Sequence, residues 1–166
     1  TKAVEAYNKA ISIKADYAQA HRNLGFVLLN NGEVEQGLAK YEWRWKIPEN
    51  KIKQRNFSRP MWDGRENLSK KRVLVWHEQG IGDTINWSSC LPLLSSISGN
   101  CIVECQAKLV KLFSESFPNI DFRPEDRSRD LDREDFDFHL PMGSLYKNLK
   151  LNSSSNRKKE AFLFPD

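Results

Sequence analysis

Apolar positions in the first 46 residues recur at helical spacing. Ala3, Tyr7, Ala10 and Ile11 fall at i, i+4, i+7 and i+8 with no Pro or Gly between them, which predicts an amphipathic helix. A second helix is expected from about Tyr17 to Leu29, ended by Asn30-Asn31-Gly32, and a third from about Val34 to Trp45. Residues 47–71 break the pattern, because Pro48, Pro60, Gly64, few aliphatics and many polar groups give linker composition. Within them FSRPMWDG (57–64) holds an aromatic pair in a Pro/Gly frame and is expected to be ordered against a neighbour. From Arg72 short apolar runs alternate with helical stretches. RVLVW reads as a strand, about 84–97 as a helix and CIVEC as a strand. Then 107–116 reads as a helix with Leu109, Leu112 and Phe113 inward, and IDFR and FDFHLPM as further strands. Such alternation predicts a parallel sheet of doubly wound type, and VLV and CIV suit a sheet covered on both faces. The expected fold class is α/β with an N-terminal all-α segment.

Length and charge narrow this picture only slightly. A chain of 166 residues suits one large domain or two small ones. No apolar run approaches the ~18 residues of a membrane span. The net charge of +4 is mild, and 26 Lys and Arg are interleaved with 22 Asp and Glu, so nucleic acid is not an expected partner. The densest basic run, NRKKE at 156–160, lies in a Ser/Asn-rich stretch and reads as a solvated loop. Three cysteines cannot all pair. Cys101 and Cys105 stand four apart on one strand and lack CxxC spacing, so buried free thiols in a reducing cytoplasm are expected, with no metal. The chain begins at Thr1 rather than Met, so a missing targeting signal carries no weight.

A shift of 34 residues lays Ala3 over Gly37 and Tyr7 over Tyr41, although it also lays Ala10 over Arg44. Ala20, Asn23-Leu24-Gly25, Gly32, Gly37 and Tyr41 stand where a tetratricopeptide repeat keeps small and aromatic packing residues. Residues 1–46 therefore resemble a tetratricopeptide array, with 1–15 as part of one repeat and 18–46 as a nearly complete one. Stability usually takes at least ~3 stacked units, so upstream repeats are expected. Arg44 stands where alanine would let another repeat stack. Trp43 and Trp45 are accordingly expected to cap the array or dock it onto the next part of the chain, with ligand binding as the alternative. Repeat helices of this kind imply a protein or peptide partner.

The chemistry-bearing stretch is WHEQGIGDTINW, at 76–87. Gly80 and Gly82 fall between a predicted strand and a predicted helix, where an open parallel sheet places its ligand crevice and where glycine permits close approach and unusual dihedrals. A dinucleotide fingerprint would need a third glycine at Ile85, and the acidic residue found about 20 residues on, Glu104, is mid-strand rather than at the tip. The GK[ST] phosphate-loop pattern is absent. Asp83 has two readings: a helix N-cap, or a base at the mouth of the sheet that takes a proton from a hydroxyl. His77 and Glu78 precede the loop and either face the crevice or pack at its side. His139, at a later strand tip by the same reading, is expected to converge with Asp83 and His77.

A repeat, then YEWRW, F-x-x-P-x-WDG, RVLVWHEQGIGDT and DFDFHLPMGSL is similar to bacterial tetratricopeptide proteins carrying a GT-B glycosyltransferase-like domain, akin to heptosyltransferases and O-linked N-acetylglucosamine transferases. The resemblance implies three parts: repeats over 1–46, a WDG linker over 47–71, and a Rossmann-like N-terminal half of a GT-B domain over 72–166. It gives Asp83 the role of general base, with Gly80 and Gly82 shaping an acceptor-side loop. His77, Gln79 and Thr84 are implied as further substrate-binding residues, and His139 is expected to join them on its strand-tip position. It also implies a nucleotide-sugar donor, no other cofactor, and a glycan or protein acceptor. The donor is held mainly by a second half that these residues do not include, so the chain alone is expected to be inactive.

Overall fold

The computed structural model describes residues 2–51, 54–128, 130–151 and 162–164. The basic run at 156–160 lies outside the described residues. The chain divides into two compact units, one built on Thr1–Gln54 and the other on Arg55–Leu149.

The first unit opens with three helices: α1 (Lys2–Ile13), α2 (Ala18–Asn30) and α3 (Val34–Tyr41). α2 packs on both of the others, and its buried side is Ala18, Ala20, His21, Leu24, Gly25 and Leu28. Small residues decide how closely α2 and α3 approach. A Cβ on Gly25 would stand 2.9 Å from the Gly37 carbonyl oxygen and the Tyr41 nitrogen, and one on Gly37 would stand 2.8 Å from Leu29. Neither contact is attainable for a real side chain, so both positions need glycine for close approach. α1 buries none of its residues.

The third helix ends earlier than its spacing predicts. After Tyr41 the chain tightens into a 3-10 turn, Glu42–Lys46, followed by the short helix α4 (Pro48–Lys51). Arg44 explains the change: its guanidinium is buried between the rings of Tyr41 and Trp45, 4.4 and 4.6 Å from their centres, and Glu42 neutralises it at 2.6 Å. Trp43 lies flat on His21, with ring centres 3.6 Å apart, and Lys46 stands over its other face. Both tryptophans thus turn onto their own repeat.

The second unit is a four-stranded parallel sheet ordered β3-β2-β1-β4: β1 (Arg72–Trp76), β2 (Asn100–Cys105), β3 (Asp121–Pro124) and β4 (Phe138–Pro141). Between them come α5 (Ile81–Ser88), α6 (Leu91–Ile97) and α7 (Ala107–Ser116), and α8 (Leu145–Asn148) comes after β4. The apolar spacing predicts one helix over 84–97. Pro92 divides it, since proline offers no N–H and its ring crowds the carbonyl four residues back, so α6 starts afresh with proline in its first turn.

The register sorts the two faces. Val73, Val75, Cys101, Val103, Phe122 and Leu140 share one face, where Phe113 of α7 meets Phe122 at 5.4 Å. Cys90, Cys101 and Cys105 are buried free thiols, and burial pushes Cys101 and Cys105 up to about 12. The opposite face carries Leu74, Trp76, Ile102, Glu104 and His139, with the short 3-10 turn Asp130–Asp132 tied to Glu104 through Arg55. Phe57 and Phe136 pack there on Leu74 and Ile102. The stretch with linker composition is therefore mostly a layer of this unit: Trp62 and Leu68 are core residues, and Pro60–Trp62 runs along the outer edge of β4. There Trp62 N–H donates to the His139 carbonyl at 2.8 Å, and His139 N–H donates to Pro60.

No described helix is long and apolar enough to cross a membrane.

Candidate site at the carboxyl ends of β1 and β4

β1 and β4 are neighbours in the sheet but not in sequence. The chain leaves β1 toward β2 on the helical face and reaches β4 from β3 over the other face, so the winding reverses between them. At such a reversal the loops beyond the strand ends diverge and leave a ligand crevice. The corresponding position here lies between His77–Gly80 and the 3-10 turn Met142–Ser144.

Gly80 stands at the N-cap of α5 in an extended conformation (φ −68°, ψ 172°), and Asp83 falls in the first turn. The N-cap reading of Asp83 is thereby corrected: Gly80 holds that place, and no side chain caps it. Asp83 is exposed and has no hydrogen-bond or ion-pair partner among the described residues. The expectation of unusual dihedrals at the glycines is also corrected, because neither has a positive φ. A Cβ on Gly82 would meet nothing within 4 Å, and one on Gly80 would meet only the Asp83 carboxylate, at 3.6 Å. Neither backbone geometry nor packing among the described residues demands glycine here. What the pair does provide is open space beside an unpaired carboxylate.

Beneath that rim the loop is tied down. Thr84 is buried, and its N–H and hydroxyl both donate to the Gly80 carbonyl, at 3.0 and 3.1 Å. Gln79 offers its carbonyl to Gln106 Nε2 at 3.0 Å. His77 is half-buried, with Nε2 3.3 Å from a Glu125 carboxylate oxygen, and its buried Nδ1 has no partner among the described residues. The carboxylate of Glu78, buried at 7% exposure, accepts the Gly143 N–H at 3.1 Å and so ties the two loops together.

His139 does not join this group. It lies mid-strand opposite Leu74, enclosed by Phe57 and Phe136, and accepts the Trp76 indole N–H at 3.2 Å. Burial lowers its pKa to about 4, so it is neutral near pH 7. The structure thus brings Gly80, Gly82 and Asp83 together at the rim, places Thr84, Gln79 and His77 below as supports, and leaves His139 in the core.

A second polar cluster was not anticipated. Glu104 points from β2 onto the loop-covered face, where Arg55 and Arg133 each take one of its oxygens. Arg55 also binds Asp130, and Arg133 binds Asp135, whose carboxyl it holds down at about 2. A cavity of about 650 Å3 opens beside Glu104, Arg123, Arg133 and Asp135. The signal was present in CIVEC: a charged residue within a buried strand requires partners. No described group of three or more His, Cys, Asp or Glu is placed to hold a metal.

Comparison with known proteins agrees with the helical part. Residues 1–32 match the TPR repeat family. The chain is similar to protein FlbA of Caulobacter vibrioides, 26% identical over an alignment of 156 positions that covers 84% of this chain and 26% of that protein. The chain thus spans about a quarter of that relative's length. No solved structure matches. The chain is a TPR-containing protein whose repeat helices are followed by an α/β unit.

Proposed function

We propose that the whole protein transfers a sugar from a nucleotide-sugar donor to an acceptor hydroxyl, with the α/β unit as the Rossmann-like acceptor half of a GT-B domain. The observation that carries this reading is Asp83, an exposed, unpaired carboxylate at the switch point of a parallel sheet, beside two glycines that the fold does not require. Asp83 takes the proton of the acceptor hydroxyl as its oxygen attacks the anomeric carbon. The nucleoside diphosphate leaves from the opposite side, with inversion and no metal. Gly80 and Gly82 leave room for the acceptor, while Thr84, Gln79 and His77 hold the loop. The repeat helices present a protein or peptide, and the acceptor is a glycan or protein hydroxyl. Asp83→Asn in the whole protein is expected to lower turnover 100-fold or more, since a positioned base contributes about 10²–10⁴-fold. Release of nucleoside diphosphate from nucleotide sugars measures it, and wild-type turnover in this variant would rule Asp83 out.

A second reading, a non-catalytic interaction module, is favoured by the TPR match over residues 1–32. It predicts that the isolated repeats recover the same partners as the whole protein.

A further inference from the structure

The helix that carries Asp83 is fastened at both ends to the segment beyond β4. At its amino end Glu78 holds the Gly143 N–H at 3.1 Å. At its carboxyl end Trp87 packs edge to face on Tyr146, with ring centres 5.1 Å apart, and Ser89 Oγ lies 3.1 Å from the Tyr146 hydroxyl. On the other flank Gln106 reaches the Gln79 carbonyl. Asp83 lies between these ties and is itself exposed.

Among these fastenings Glu78 is the charged one and is almost wholly buried. A carboxylate withdrawn from water is costly unless hydrogen bonds and charge compensate it. A neutral amide could accept the same N–H with less desolvation. At 3.1 Å the Gly143 bond has the length of an ordinary amide hydrogen bond, so what the loop needs from residue 78 is an acceptor at this reach rather than its charge.

We infer that Glu78 is a positioning residue. Its carboxylate, by holding Gly143 across the switch point, sets where Gly80–Asp83 stand against the Met142–Ser144 turn, and hence where Asp83 meets an acceptor hydroxyl. Glu78 touches no acceptor and moves no proton. This role rests on the reading of Asp83 as the base.

The test compares Glu78→Ala, Glu78→Asp, Glu78→Gln and Asp83→Asn in the whole protein, assayed for nucleoside diphosphate release from UDP-, GDP- and ADP-linked hexoses. Backbone amides of the present chain are followed by NMR alongside. Glu78→Ala is expected to lower kcat about 10- to 100-fold, the usual effect of losing an outer support, with KM for the sugar nucleotide within about twofold. The amide signals of Gly143 and Gly80–Asp83 should move while those of β2 and β3 stay. Glu78→Gln, which keeps an acceptor, should recover most of kcat. Glu78→Asp, which keeps the charge but shortens the reach, should not, and it serves if the alanine variant fails to fold. Wild-type kcat in Glu78→Ala beside an inactive Asp83→Asn overturns the role of Glu78 alone. Wild-type turnover in Asp83→Asn, or none in the unaltered protein, overturns the reading of Asp83. The amide shifts then decide whether Glu78 sets the loop, and unmoved Gly80–Asp83 signals overturn that too.

Discussion

Gly25 and Gly37 in the repeat helices, and Gly80 and Gly82 in the sheet unit, are the same residue used for opposite reasons. At the first pair a methyl group would collide with backbone or Leu29 at under 3 Å; at the second it would enter open space or touch a single carboxylate. A glycine that the fold demands says nothing about ligands. One that no described neighbour demands, next to an unpaired carboxylate, is what the proposed acceptor site calls for.

The sharpest way to break this contrast is Gly25→Ala. The added methyl must push α2 away from α3, and overpacking of this kind costs about 1–3 kcal/mol. Urea unfolding of the repeat unit measures it, and unchanged stability would remove the close-approach argument.

His139 belongs on the fold-demanded side, and pH tests that placement. Its folded pKa of about 4 lies below the 6.5 of the free side chain, so the stability it contributes is present above pH 6.5 and is lost as pH falls toward 4. Between pH 7 and pH 5 the loss should be about 2 kcal/mol. His139→Gln should flatten that dependence in denaturant titrations at the two pH values, whereas a solvated site histidine would leave it unaltered.

The smallest effect is also the one with reversed sign. Gly82 lies inside α5, where alanine is the better helix former by up to about 1 kcal/mol. Gly82→Ala should therefore hold or raise the melting temperature while lowering sugar transfer. A loss of stability would return Gly82 to the group of structural glycines.

Periodicity carried the sequence reading furthest where each element's partners are close in the chain. The strands RVLVW and CIVEC and the repeat helices come directly from it. The end of α3 was not legible, because Arg44 turns inward between two rings and tightens the chain, a tertiary effect on a helical pattern. The break at Pro92 was visible in principle, as proline there is incompatible with one continuous helix. Residues 55–68 misled by composition: few aliphatics suffice for a covering layer when Arg55, Phe57 and Trp62 supply its contacts. That Gly80–Asp83 follow a strand and adjoin a helix was legible because these are local features, although the helix starts at Ile81 rather than after Asp83. The place of His139 was not, because its position along β4 depends on pairing with β1. Glu78 stayed open between crevice and packing because its partner is a main-chain N–H 65 residues away.

The Pro60–Trp62 segment bears on how the sheet meets other molecules. A bare outer strand offers unpaired main-chain groups on which a foreign strand can assemble, and folded proteins guard against this with prolines, charges or covering segments. β4 is guarded by Pro60–Trp62, and β3 ends in Pro124 with Arg123 flanked by Asp121 and Asp135. Starting an excised sheet unit at Arg72, where the apolar alternation begins, would strip the guard from β4 and invite self-association. Starting at Arg55 keeps it.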